Sequence, residues 1–213
     1  SFVCELILSV VTRLLGLAVP FGFILVVGIF MLLISVSMQI RFLSPAYTVG
    51  LAFLVIYILY VTRFEGILNN SYFVFEQAIY PSIAVLIGLL MITEGLLIRK
   101  RGAIQVSPSV EKGKRGLYIG TQTTKRVWLV PVLLFIPNGM LNVSGDFWPV
   151  FSFGGTDWSP ILVPFFIGFS FKVKSNLMGN VAGRLGNHVA ILGIIVLALA
   201  VAGKWYPIVS LAA

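Results

Sequence analysis

The stretch "RKRGAIQVSPSVEKGKRGLYIGTQTTKR", residues 99–126, differs sharply in composition from the sequence on either side of it. It holds eight of the fifteen Lys and Arg residues in a chain of 213 residues that is 59% hydrophobic and 10% charged. Such a basic stretch has three interpretations: a nucleic-acid patch, a linker between domains, or a loop on one side of a membrane. The flanking segments decide between them.

Those flanking segments are apolar. The run "YPSIAVLIGLLMITEGLLI", residues 80–98, is about as long as the 20 residues that a membrane helix needs. Soluble domains carry about 25% charged residues, so a chain with 10% cannot cover its surface with polar groups. The net charge of +8 then reflects Lys and Arg in cytoplasmic loops. We therefore predict a lipid bilayer as the solvent and no nucleic-acid partner.

Seven transmembrane helices are predicted, so the expected fold class is an all-α, polytopic membrane protein. The domain organisation is a first bundle of four spans in residues 1–98, a basic cytoplasmic loop at 99–126, and three further spans in 127–213. The predicted spans are residues 2–18, 21–38, 45–61, 80–98, 127–140, 159–171 and 189–202.

Proline interrupts two of these spans. Pro131 and Pro137 fall in the fifth and Pro164 in the sixth, and proline removes a helix hydrogen bond. Both spans are therefore predicted to be short or kinked helices. The Gly-rich segment "GNVAGRLGNH", residues 179–188, is predicted to be a flexible turn before the last helix.

The distribution of basic residues predicts the orientation. Alternating spans put Arg41, the 99–126 loop and residues 172–184 on one side, with twelve of the fifteen Lys and Arg residues. Cytoplasmic loops are the ones enriched in these residues, so this side is predicted to be cytoplasmic. Basic side chains near anionic headgroups contribute about 1 kcal/mol each. The predicted headgroup contacts are Arg99, Lys100, Arg101, Lys112, Lys114, Arg115, Lys125, Arg126, Lys172 and Lys174.

Two charged residues, Glu5 and Arg13, fall inside the first predicted span. Intramembrane charges are expensive, so the functional interpretation is an ion or proton path. The alternative places Glu5 near the cytoplasmic interface and pairs Arg13 with a neighbouring helix. Glu94, near the basic end of the fourth span, is predicted to snorkel toward that end.

Catalytic and metal-binding patterns are missing from the sequence. Cys4 and His188 are the single residues of their types, and no HExxH, GxSxG or phosphate-loop motif occurs. We predict that the chain is not an enzyme and binds no cofactor or metal. A small-solute transporter or flippase that uses Glu5, Arg13 and the proline-broken spans remains the alternative function.

Several segments resemble one known family: "QIRFLSPAYTVG", "KGKRGLYIGTQTTKRVWLVPVLLFIP", "WPVFSFGG" and "LVPFFIGFSFKVKS". They look like the membrane region of the MinJ-like family, PDZ-containing polytopic proteins of Gram-positive bacteria that act in septum site selection. The resemblance implies a multi-span anchor and scaffold with a cytoplasmic PDZ domain after the last span. It also implies division-protein partners of the DivIVA and MinD type.

No PDZ signature occurs in these 213 residues, and both ends of the sequence are apolar. We therefore expect this chain to be an internal piece of a longer protein. The predicted function is a membrane anchor that positions division site-selection proteins by protein–protein contacts at the cell membrane.

Overall fold

The computed structural model describes residues 19–37, 40–62, 79–104, 106–112, 116, 118–137, 151–153, 156–174 and 176–203. The described part holds four α-helices and four β-strands, together with a short 3-10 turn at Ile40–Phe42. In chain order these are α1 (Phe21–Val36), α2 (Pro45–Val61), α3 (Ile79–Arg101), β1 (Ser107–Lys112), β2 (Tyr118–Pro137), β3 (Phe151–Phe153), β4 (Thr156–Lys174) and α4 (Met178–Ala202).

The helices form where uniformly apolar runs begin after a proline or a polar residue. α1 follows Pro20, whose carbonyl accepts hydrogen bonds from the N–H groups of Phe23 and Ile24. α2 starts at Pro45, a residue that the first helical position tolerates well. The helices predicted at 21–38, 45–61 and 80–98 are thus confirmed as helices, while the span predicted at 2–18 lies outside the described residues.

The prediction of an all-α fold with seven transmembrane helices is wrong. The fifth and sixth predicted spans are β2 and β4, which form the centre of an antiparallel sheet with the order β1-β2-β4-β3. The stretch 99–126, predicted as a loop, holds the end of α3, all of β1 and the first part of β2. The pair of proline-broken helices that favoured a transporter does not exist. The division of the chain at residues 98 and 126 stays a prediction.

The prolines of β2 and β4 fit this sheet because of their register. Pro131 lies directly opposite Pro164, and neither has an N–H to exchange, so the two form a non-hydrogen-bonded pair. Since such pairs alternate along an antiparallel ladder, Pro137 and Pro160 also fall at non-hydrogen-bonded positions, opposite Trp158 and Phe135. None of the four prolines therefore removes a hydrogen bond between β2 and β4.

One face of the sheet packs against the first three helices. Alternate residues of β2 and β4 are buried there, and each helix presents residues three or four positions apart to them. The core contains Phe23, Val27 and Met31 of α1, Val49, Ala52 and Ile56 of α2, Ile83, Leu86 and Leu90 of α3, and Val130, Val132, Leu134, Phe165 and Ile167 of the sheet.

α4 packs along α3 through a seam of glycines spaced seven residues apart. Gly88 and Gly95 of α3, with Gly102 just after its end, run antiparallel to the glycines of α4 at 179, 186 and 193. A Cβ atom at Gly95 would lie 2.6 Å from the carbonyl oxygen of Gly186. Small residues at this spacing let two helix backbones approach closely. The segment 179–188, predicted as a flexible turn, is therefore the first part of α4 and half of its contact with α3.

Two of these helices are long and apolar enough to cross a membrane, Pro81–Arg101 and Met178–Ala202, with mean hydropathies of 2.1 and 2.3. Their surroundings differ. Within the structure 67% of the 18-residue apolar window of the first helix is buried, but only 22% of the window of the second. The shorter apolar helices are Phe21–Val36 and Pro45–Leu59. α3 is thus an interior helix, and α4 leaves most of its surface uncovered.

Candidate functional site

Four element ends meet at one end of the protein: the last turn of α3, the start of β2, the end of β4 and the start of α4. The N–H of Met178 donates to the side-chain oxygen of Gln122 at 2.8 Å, which joins α4 to β2. The guanidinium of Arg126 donates to the carbonyl of Ile104, just after α3. We call this region the basic end; its described cations are Arg99, Lys100, Arg101, Lys112, Lys125, Arg126, Lys172, Lys174 and Arg184.

The basic end brings together most of the predicted headgroup residues. The last turn of α3 supplies three exposed cations, and both central strands supply two each. Lys114 and Arg115, and the intramembrane pair Glu5 and Arg13, lie outside the described residues. A role for any of these residues at a lipid headgroup stays a prediction.

One carboxylate, Glu111, lies among the cations. It forms ion pairs with Lys172 and with Lys174, the latter at 3.3 Å, on neighbouring positions of β4. Hydrogen bonds from Lys172 and then Lys174 hold the pKa of the Glu111 carboxyl below its ordinary value. The two contacts connect β1 to β4 across β2, so Glu111 ties the short edge strand to the long hairpin. The pairing of Glu111 with Lys172 is not visible in local sequence, because the two residues are 61 positions apart.

The lowered pKa of Glu111 predicts the pH dependence of this contact. A carboxyl whose pKa falls on folding stabilises the folded state above its ordinary pKa, and this contribution is lost as the pH falls through the folded value. We expect the side-chain carbonyl resonance of Glu111 to titrate below pH 4.5 in wild-type protein. In the K172Q/K174Q variant the titration midpoint of Glu111 should move back up toward the ordinary pKa of a glutamate. An unchanged midpoint in that variant would contradict the assigned ion pairs.

Glu94 was predicted to snorkel toward the basic end, and this is wrong. Its side chain is 5% exposed and accepts a hydrogen bond of 2.7 Å from the hydroxyl of Ser44, the residue before α2. The carboxylate therefore lies at the N-terminus of α2, where the helix dipole favours a negative charge. The bond fixes α3 against α2. Ser44 before Pro45 is a helix-start pattern in the sequence, but its contact with Glu94 joins residues 50 positions apart.

The 3-10 turn covers the edge of β4 near this site. The N–H of Gly168 donates to the carbonyl of Leu43 at 3.1 Å, and a Cβ at Gly168 would lie 2.3 Å from the oxygen of Ile40. Glycine is therefore required at this position for the turn to reach the strand. The contact closes part of the open edge of β4.

Away from the basic end the described surface is largely apolar. Large hydrophobic side chains are exposed on the outer sides of three helices and on the sheet face that the helices leave open. So many exposed apolar side chains mark contacts with a membrane or another protein. The exposed residues include Leu25, Ile29, Leu32 and Leu33 of α1, Leu51, Leu54 and Ile58 of α2, Val127, Leu129, Leu162 and Phe166 of the sheet, and Ile191, Leu192, Ile194 and Ile195 of α4.

Among the residues that the structure describes, no group of three or more His, Cys, Asp or Glu side chains could hold a metal ion. His188 lies exposed on α4.

Comparison with known proteins gives one informative similarity. The chain is 31% identical over 211 residues to the cell division topological determinant MinJ of Bacillus subtilis (strain 168). The similarity covers 97% of this chain but 52% of the relative, so the chain spans about half the length of the curated protein that it matches. No protein-family model matches the chain. No solved structure matches it.

Proposed function

We propose that this chain is the membrane-anchoring part of a cell-division topological determinant and helps to place division site-selection proteins at the membrane. The observation that carries the proposal is the similarity to MinJ, which extends over 97% of the chain. The relative's name describes a positional role, and this agrees with the prediction that the chain is not an enzyme. Its action would be to hold binding surfaces at a defined place.

The exposed apolar surface supports the membrane part of the proposal. Water would leave that surface prone to aggregation, whereas lipid chains would cover it at no cost. α3 and α4 have 23 and 25 residues, or about 35 Å each, and the hydrocarbon core is about 30 Å thick. Both therefore match a single crossing, with the cations at one end of α3 in the headgroup region.

Of the elements of this fold, the sheet is the hardest to accommodate in a membrane. Lipid offers no hydrogen bonds, so unpaired backbone groups on a strand edge are costly there. Several outward positions on β2 and β4 are proline and have no N–H, and Gly168 donates to Leu43. On the β2 edge the carbonyl of Phe135 accepts from the N–H of Val19. These features reduce the cost of the open edges and support a shielded position for the hairpin.

The cations of the basic end would then lie on the cytoplasmic side. Lys and Arg are enriched in cytoplasmic segments and attract anionic headgroups. The assigned headgroup contacts are Arg99, Lys100, Arg101, Lys112, Lys114, Arg115, Lys125, Arg126, Lys172 and Lys174, as the sequence predicts. Partners of the DivIVA and MinD type would bind on the same side of the membrane.

A chimera tests the proposed function. In the Bacillus subtilis relative, the matching region is replaced by this chain and the remainder of the relative is kept. We expect the chimera to be extracted with the membrane fraction and to restore septum placement, scored by microscopy, in cells that lack the native protein. The reason is that the proposed role needs both membrane insertion and surfaces that place division proteins, and a chain 31% identical over the matching region should supply both.

The matched control replaces the same region with an unrelated membrane anchor of similar span number. If the unrelated anchor restores septum placement equally well, the chain contributes insertion alone. A chimera that inserts normally but leaves septa misplaced would contradict the proposed role in site selection. A chimera found in the soluble fraction would contradict the anchor itself.

A further inference from the structure

β1 forms the edge of the sheet, and among the described strands only β2 pairs with it. Pro108 lies opposite Gln122 and has no N–H to exchange, so these two residues form a non-hydrogen-bonded pair. By alternation Val110 and Lys112 are also at non-hydrogen-bonded positions. Their N–H and C=O groups therefore point away from β2, along a free edge.

A shallow hollow adjoins this edge. It has a volume of about 590 Å³ and is lined by Pro108, Val110, Gly120, Gln122, Asn176 and Leu177 among others. The register places Val110 opposite Gly120 and Pro108 opposite Gln122, so their side chains share one face. A Cβ at Gly120 would meet nothing within 4 Å, so glycine here leaves open space above the strand pair.

Exposed apolar side chains surround the hollow. Val110 is 68% exposed, Tyr118 is 78% exposed and Leu177 is 64% exposed. They occur at the basic end, where the neighbouring surface is charged. Three large apolar side chains so placed are typical of a binding surface.

The charge at this site is positive. Lys112 lies on the same face as Val110 and the hollow, whereas Glu111 and its partners Lys172 and Lys174 lie on the opposite face. A second copy of this edge would carry the same charge, and Pro108 and Lys112 are residues that discourage pairing between identical edges. The charge therefore favours a different, acidic partner.

The hollow also lies apart from the apolar surface. Gly120 precedes Arg126 by six residues of continuous strand, or about 20 Å. Arg126 contacts Ile104 at the end of α3, where the cations of the helix lie. β1 therefore extends beyond the level of α3, and its free edge is accessible to a protein.

We propose that the free edge of β1 binds an extended, acidic segment of a partner protein by strand addition. The segment pairs with the outward N–H and C=O groups of Val110 and Lys112, which is how edge strands commonly recognise peptides. On the face shared by Val110, Gly120 and Lys112, an apolar side chain of the segment enters the hollow above Gly120, and an acidic side chain two residues away contacts Lys112. The site takes an extended peptide with an apolar and an acidic residue two positions apart.

Peptide selection tests this site without reference to cell division, so its failure is separate from failure of the chimera. The complete chain in detergent is used to select a random decapeptide display library. We expect the enriched peptides to carry an acidic residue two positions from an apolar residue. A synthetic enriched peptide should bind Val110→Pro about tenfold more weakly, because proline removes an outward donor without removing a bond to β2. Val110→Thr, which keeps the donor, should bind as wild type does.

A second variant keeps the test decisive if Val110→Pro perturbs folding. Gly120→Val fills the hollow and leaves the edge donors in place, and it too should weaken binding about tenfold. Enriched peptides without acidic residues, or equal affinity for all four proteins, would overturn the proposal. So would a loss of binding to phosphatidylglycerol vesicles in Val110→Pro, since the edge would then contact headgroups rather than protein.

Discussion

Gly95→Ala is expected to lower the melting temperature of the protein, whereas Gly183→Ala should leave it unchanged or raise it. In a helix interior, alanine is favoured over glycine by about 1 kcal/mol, so propensity alone predicts stabilisation by both changes. The two positions differ in their surroundings. A Cβ at Gly95 would lie 2.6 Å from backbone atoms of Gly186 and Ala190, and a Cβ at Gly183 would meet nothing within 4 Å.

The contact at Gly95 cannot be relieved by a side-chain rotation, because the opposing atoms belong to the α4 backbone. The helices must move apart along the seam, which also loosens the contacts at Gly88 and Gly193. Overpacking of this kind typically costs about 1–3 kcal/mol, and the propensity gain of about 1 kcal/mol offsets part of it, so we expect a net loss of about 1 kcal/mol. For a chain of this size that corresponds to a decrease of about 2–4 °C.

Thermal unfolding of the detergent-solubilised variants, followed by the far-ultraviolet circular dichroism signal, measures the difference. Gly186→Ala provides a second test from the α4 side, since its Cβ would lie 2.6 Å from the oxygen of Gly95. Equal stabilisation by Gly95→Ala and Gly183→Ala would mean that α3 and α4 do not meet along the glycine seam.

The glycine seam is a part of the fold that could have been predicted from the sequence. Glycines at 88, 95 and 102 and at 179, 186 and 193 follow one seven-residue spacing, the repeat of closely packed helices. The segment 179–188, with the glycines at 179 and 186, is predicted to be a flexible turn, because glycine usually interrupts helices. Comparing the two spacings would have predicted both the start of α4 and its antiparallel register with α3.

The strands were harder to predict. Residues 127–137 are apolar without alternation, because the outer face of the sheet is almost as apolar as the buried face, and such a run resembles a membrane helix. Local sequence alone predicts that the prolines interrupt helices. Only the pairing of Pro131 with Pro164 makes them compatible with a strand ladder, and pairing between distant segments is not visible in local sequence. Contacts such as Glu111–Lys172 and Ser44–Glu94 were missed for the same reason.

A proline scan of β2 separates a strand from a kinked helix. Val132 faces Val163 at a hydrogen-bonded position, and Leu133 faces Leu162 at a non-hydrogen-bonded one. Val132→Pro therefore removes a central ladder bond in the buried core and leaves an unpaired acceptor. We expect it to yield little monodisperse protein on size-exclusion chromatography. Leu133→Pro keeps the ladder, so it should fold, with a melting temperature lowered only through lost side-chain packing.

Val132→Ala is the matched control, since it removes buried methyl groups and keeps the N–H. Its loss of stability measures the packing contribution, and any further loss in Val132→Pro belongs to the backbone. A helix would respond differently. There each new proline removes one hydrogen bond and clashes with the preceding turn, at about 3 kcal/mol, whichever of the two neighbouring positions it occupies. Equal damage from Val132→Pro and Leu133→Pro would support a helix, whereas strong damage at 132 alone requires the ladder that places Pro131 opposite Pro164.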